Sequence, residues 1–123
     1  MKQGDVMSAG KHDIIIEQGA TFTEVYALRD VNHALINLTA YTGAMQIRES
    51  AESTATLASS TGTSPTITLT MGGTEGTITV SISATNTAAL NFDQAVYDLE
   101  ITTGTTVTRL LAGNVTLSKE VTR

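Results

Sequence analysis

Hydrophobic and polar positions alternate most regularly between residues 66 and 82. Ile67, Leu69 and Met71 alternate with Thr66, Thr68 and Thr70. Beyond Gly72-Gly73-Thr74-Glu75-Gly76, Ile78, Val80 and Ile82 alternate with Thr77, Thr79 and Ser81. A period of two puts one set on each face of an extended chain. Two such runs joined by a glycine-rich turn predict an antiparallel hairpin. The same reading predicts strands over residues 13–17, 21–29, 41–49 and 95–102. Met45 and Ile47 share one face of the third, and Tyr97, Leu99 and Ile101 point inward on the fourth.

The last apolar run, residues 107–117, does not alternate cleanly. Counting odd positions inward gathers Val107, Leu111, Val115 and Leu117 but turns Arg109 inward with them. A β-bulge at Leu110-Leu111 or at Gly113 is expected to correct the phase. A short strand is expected at residues 54–57, a tight turn at residues 30–33 and one helical turn at residues 84–90. About seven strands with turn-separated spacing predict an all-β fold, a two-sheet antiparallel β-sandwich over residues 12–123. A flexible polar arm is expected over residues 1–11.

Composition sharpens this picture. The chain has 123 residues, enough for one domain. Only 15% are charged, so Thr, Ser, Asn and Gln supply much of the polar surface. Thr suits a pleated sheet better than a helix because its branched Cβ restricts the side chain. The net charge of −5, with scattered Lys and Arg, argues against nucleic acid and against anionic membranes as partners. With no cysteine, disulfides and thiolate metal sites are excluded. The N-terminus has no signal-peptide core and no run is long enough to span a bilayer, which fits a protein made in a cytoplasm.

Two stretches carry resemblances. Asp93-Gln94-Ala95-Val96-Tyr97-Asp98-Leu99 resembles the Asp-x-Ala-x-Tyr-x-Cys signature of immunoglobulin-like domains, with Leu99 in the cysteine position. The resemblance implies an Ig-like sandwich in which Tyr97 is a tyrosine corner, its hydroxyl bonded to upstream backbone. The missing cysteine and the lack of tryptophan set it apart from antibody domains. A second set covers most of the chain. It comprises Gln18-Gly19-Ala20-Thr21-Phe22, Asn37-Leu38-Thr39-Ala40-Tyr41-Thr42-Gly43-Ala44-Met45-Gln46-Ile47-Arg48, Tyr97-Asp98-Leu99-Glu100, Val107-Thr108-Arg109-Leu110-Leu111-Ala112-Gly113 and Glu120-Val121-Thr122-Arg123. In order and spacing these are similar to small structural proteins of tailed bacteriophages and to the N-terminal module of phage baseplate upper proteins. The family implies a virion protein without catalytic residues. At Val31-Asn32-His33 the chain departs from it, where a more glycine-like hairpin tip is expected.

Little in the sequence points to chemistry. His12 and His33 stand apart from other ligands, and zinc needs three or four converging ones. Ser59, Ser60 and Ser64 lie in a low-complexity stretch without a Gly-x-Ser-x-Gly elbow. The Gly72–Gly76 segment lacks the Lys-Thr pair of a phosphate loop. Asp98 and Glu100, with Asp93 just before them, share one outward strand face. Calcium wants six or more oxygens, so pairing with Arg109 across the ladder is expected instead. Asn37-Leu38-Thr39 and Asn114-Val115-Thr116 match glycosylation sequons, which need a secretory route.

No catalytic, cofactor or metal site is therefore expected. The expected function is a non-enzymatic virion assembly or adaptor module of the tail, collar or fibre-attachment apparatus. It would bind other virion proteins, self-associate, and be made in the host cytoplasm. Its termini suggest a solitary domain whose polar arm reaches ~30 Å when extended. The alternatives are a capsid decoration protein and a receptor- or carbohydrate-binding sandwich. Sugar platforms, however, need aromatics, and Phe22, Tyr26, Tyr41, Phe92 and Tyr97 are few and wanted by a core.

Overall fold

The computed structural model describes residues 10–30, 32–62 and 65–122. Within them the chain forms β1 (Gly10–Lys11), β2 (Ile14–Glu17), β3 (Phe22–Ala27), β4 (Thr42–Arg48), β5 (Ala58–Ser59) and β6 (Thr68–Met71). β7 (Thr77–Ile82), the short helix α1 (Ala84–Ala88), β8 (Gln94–Thr103) and β9 (Thr106–Ser118) follow. The larger sheet has the order β1-β9-β8-β4-β5, with β2 also on β9; the smaller is β3-β7-β6. The fold is an all-β two-sheet sandwich. Successive pairs of strands switch sheets, as in an immunoglobulin-like sandwich. The first strands lie parallel to β9, not beside β3.

The alternation seen in the sequence builds the core. β2 supplies Ile14 and Ile16, β4 supplies Met45 and Ile47, and β8 supplies Tyr97, Leu99 and Ile101. β7 faces them with Ile78, Val80 and Ile82. Leu38, Ile67 and Leu90 plug the layer from the connections and are also buried. Burial of each such aliphatic stabilises the fold by roughly 1.5–3 kcal/mol.

Local chemistry fixes the turns. Between β6 and β7 the backbone makes a 3₁₀ turn at Gly73–Glu75 and leaves it through Gly76 at φ +69°. A Cβ on Gly76 would sit 2.7 Å from the Ile36 carbonyl oxygen, so this turn requires glycine. Ser83 caps α1, its side chain accepting from the Asn86 amide. In β9 the phase correction falls at Leu110. Leu99 pairs with Leu111 and Glu100 with Arg109, so Leu110 is an extra residue on the bulged strand. The bulge lets Leu110 and Leu111 both serve the core while Arg109 faces out.

Three boundaries differ from the sequence pattern. Gly10 and Lys11, expected in the flexible arm, instead pair with Leu111 and Ala112; the remainder of that expected arm, residues 1–9, lies outside the described residues. The short strand expected at residues 54–57 forms instead at Ala58–Ser59. Serine bonds between Ser50 and Ser53 hold the preceding segment in a turn, and regular pairing to β4 begins with the Leu57 amide on the Ile47 carbonyl. Val107 is exposed rather than inward, since the bulge reverses the phase of everything before it.

Candidate functional site

The outer face of the larger sheet carries a concave groove of about 560 Å³. Strand register explains its composition. Ala44 lies opposite Glu100, Gln46 opposite Asp98, and Arg48 opposite Val96. Across the other ladder, Asp98 faces Ala112 and Val96 faces Asn114. Small side chains at Ala44, Val96 and Ala112 hollow out the floor, and longer charged ones at Lys11, Arg48, Asp98, Glu100 and Arg109 surround it. Arg109 Nε stands 3.4 Å from Asp98 Oδ2, the cross-strand pairing the sequence pattern called for. Arg48 is spent locally, donating to Gln46 Oε1 at 2.8 Å and to the Ser53 carbonyl at 2.6 Å. Asp93 is not part of this row; it lies 3.4 Å from Lys119 Nζ.

A second polar constellation lies between the sheets at the β2–β3 side. Phe22, Glu24 and Tyr26 alternate along β3 and face inward. Glu24 Oε1 accepts from the Tyr26 hydroxyl and lies 3.3 Å from His12 Nε2. The His12 ring meets Tyr26 edge-on, with centroids 5.6 Å apart. The peptide of His12 is held in turn. Its N–H donates to the Ala112 carbonyl, and its carbonyl accepts from the Tyr97 hydroxyl at 2.5 Å. Burial, followed by the hydrogen bond to Glu24 and its charge, pushes the Tyr26 phenol far above its ordinary value. Burial also raises Tyr97, to about 12, with Glu24 and Asp13 adding to the effect.

Tyr97 thus makes the backbone bond expected of a tyrosine corner, but with a different acceptor. The carbonyl belongs to His12, at the break between β1 and β2, and not to the connection entering β8. Its hydroxyl fastens the first strands onto the larger sheet. Gly113 permits this closeness, because a Cβ there would lie 2.2 Å from the His12 oxygen. Asp13 completes the fastening by accepting from the Asn114 amide.

Comparison with known proteins finds no matching family model and no matching characterised relative.

The remaining candidates from the sequence serve structure. Ser59 is buried and engages Thr61, while Ser64 lies outside the described residues. His33 is exposed in a turn at φ +64°, the conformation for which a glycine-like tip was expected. Asn37 accepts from the Thr39 amide and hydroxyl in a local Asx turn. Among the described residues no three His, Asp or Glu side chains converge to hold a metal ion. No helix among them is long and apolar enough to cross a membrane.

Two groups escaped the sequence pattern. Glu24 and His12 meet only because the fold brings β3 against the break after β1; the one available signal was a Glu on the same strand face as Phe22 and Tyr26. Thr87 is fully buried. Its hydroxyl accepts from the Gly19 amide at 3.0 Å and donates to the Ala20 carbonyl at 2.8 Å, tying the β2–β3 turn to α1.

Proposed function

We propose that this chain is a non-enzymatic structural protein of a tailed-phage virion. It acts as an assembly or adaptor module of the tail, collar or fibre-attachment apparatus and docks on other virion proteins through the outer face of its larger sheet. The groove over Ala44, Val96 and Ala112 carries the reading. Its small floor residues admit a partner's side chains, and a rim holding both Asp98–Glu100 and Lys11–Arg109 suits the mixed charge of a protein surface. A phosphate backbone would call for a rim of one sign. The likeness of the Gln18–Phe22, Asn37–Arg48, Tyr97–Glu100, Val107–Gly113 and Glu120–Arg123 segments to phage structural proteins supplies the virion context.

The same groove would serve a capsid decoration protein, and copy number separates the two. Quantitative mass spectrometry of purified particles should count tens of copies or fewer for an adaptor; hundreds would favour decoration, and none would end the virion reading. Ala112→Arg fills the groove from an outward position. The folded variant is expected to be lost from particles, and normal incorporation would remove the groove from the argument. A carbohydrate-binding role draws less support. Phe22 and Tyr97 are buried, and Tyr26, Tyr41 and Phe92 pack partly buried against the core, so these rings make poor sugar platforms.

A further inference from the structure

The sandwich is closed along one side and open along the other. On the closed side Ser59 links the sheets, its amide donating to the Pro65 carbonyl and its carbonyl accepting from the Ile67 amide. This stitches the β5 edge to the segment that enters β6. On the opposite side the larger sheet ends in β1 and β2, two short pieces interrupted at His12-Asp13 and carrying exposed Lys11 and Glu17. Short, broken, charged edges resist pairing. The smaller sheet ends in β3, which runs six residues without interruption.

The backbone phase of β3 is set by its neighbour. The Leu28 amide donates to the Gly76 carbonyl, and the register continues from there with Tyr26 opposite Ile78, Glu24 opposite Val80 and Phe22 opposite Ile82. In an antiparallel ladder these residues bond toward β7, and the alternate ones direct their N–H and C=O groups the other way. Among the described residues no strand pairs with this edge, which presents the amides and carbonyls of Thr23, Val25 and Ala27. Those three side chains lie on the sheet's outer face, and Val25 is 59% exposed. An exposed strand edge is commonly blocked by a lysine, a proline, a bulge or an inward-pointing charge. β3 carries no lysine, proline or bulge, and its one inward charge, Glu24, is engaged by Tyr26 and His12 within the chain.

The surroundings are equally permissive. The outer face of the smaller sheet is formed by Thr23, Val25 and Ala27, by Thr77, Thr79 and Ser81, and by Thr68 and Thr70. In a chain of net charge −5, these eight residues include no charged side chain. Glu24, the acidic residue of β3, points inward and is occupied by Tyr26 and His12.

We infer that β3 is a homotypic assembly edge, pairing antiparallel with β3 of a second copy about a two-fold axis at Val25. In that register Val25 lies opposite Val25, and Thr23 opposite Ala27 of the other copy. Each then exchanges both backbone hydrogen bonds with its opposite. Glu24 falls opposite Tyr26, so no like charges meet across the seam. The two smaller sheets become one continuous sheet, and an isologous contact of this kind closes at a dimer. This pairing is independent of the groove and of any virion context.

Sedimentation equilibrium on the full chain tests it, with circular dichroism to verify folding. The wild-type chain is expected to dimerise reversibly. Val25→Lys sets two ammonium groups opposite each other and is expected to weaken dimerisation about tenfold or more, while Val107→Lys, at an exposed site on the larger sheet, leaves it unchanged. Because the chain has no cysteine, Val25→Cys is expected to give a disulfide-linked dimer on mild oxidation, its Cα atoms lying about 5.5 Å apart across the seam. A wild-type chain that stays monomeric overturns the inference. So does a dimer indifferent to Val25→Lys. A chain that dimerises through β3 only after residues 1–9 are removed also overturns it, since its own N-terminal segment would then occupy the edge.

Discussion

At the residue scale, the most informative contact is the hydroxyl of Tyr97 on the carbonyl of His12. A half-exposed strand tyrosine would titrate near its ordinary value, but Tyr97 is buried and its phenol is raised to about 12. The folded state thus favours the protonated form. Its contribution to stability is complete below pH 10, where the unfolded phenol is also neutral, and declines as pH climbs from 10 toward 12. Tyr97→Phe removes the donor and leaves the His12 carbonyl unpaired at that position. Near neutrality the variant is expected to be less stable by about 1–2 kcal/mol. In urea titrations repeated across alkaline pH, the gap to wild type should close between pH 10 and 12. A constant gap would show that the loss comes from packing and not from the hydroxyl.

At the scale of elements, legibility in the sequence follows the range of the forces involved. β6, β7 and β8 were readable because burial on one face imposes a period of two on the residues themselves. The need for a bulge was readable too, since plain alternation turned Arg109 inward with Leu111, Val115 and Leu117; its place, open in the sequence between Leu110-Leu111 and Gly113, is Leu110. Ala58–Ser59 was not, because a strand of two residues has no period, and Ser59 is held by Pro65 and Ile67 from the other side of a loop. Tyr97 could be singled out by its neighbours, but not its acceptor, which lies 85 residues away in sequence. Glu24 and His12 follow the same rule.

Thr87 is the clearest element-scale device that the pattern concealed. In sequence it is one Thr among many in an Ala-rich segment. In the fold its hydroxyl bonds both Gly19 and Ala20, while Gln18 Nε2 reaches the Leu90 carbonyl at 2.8 Å. The β2–β3 turn is thereby fixed to α1 at two points. Thr87→Val keeps the shape but removes the hydroxyl that serves both groups, leaving the Gly19 amide unsatisfied in a partly buried setting. The expected cost is about 2 kcal/mol in chemical denaturation, and Thr87→Ser should recover most of it. A loss in the Ser variant without a loss in the Val variant would assign the effect to the methyl group instead.

At the scale of the whole molecule, stability should be distributed unevenly, and the distribution follows from the topology. β8 and β9 are long and enclose Leu99, Ile101 and Val115; β8 is paired on both sides for most of its length, and β9 on both sides at Leu111–Ala112 and Val115–Thr116. β7 lies between β3 and β6 and buries Ile78, Val80 and Ile82. Amides in these strands can exchange with solvent only when the sandwich opens globally, whereas edge amides exchange through local motion. Hydrogen exchange is therefore expected to be slowest in β7, β8 and the centre of β9. On β3 it should split by parity. The Glu24 and Tyr26 amides, bonded to β7, should be protected, and those of Thr23, Val25 and Ala27 should exchange quickly in dilute protein. Raising the protein concentration should protect the second set alone if β3 pairs with β3. Uniform protection along β3 at every dilution would mean that its outward amides already have partners within one chain, and the open edge on which self-pairing depends would not exist.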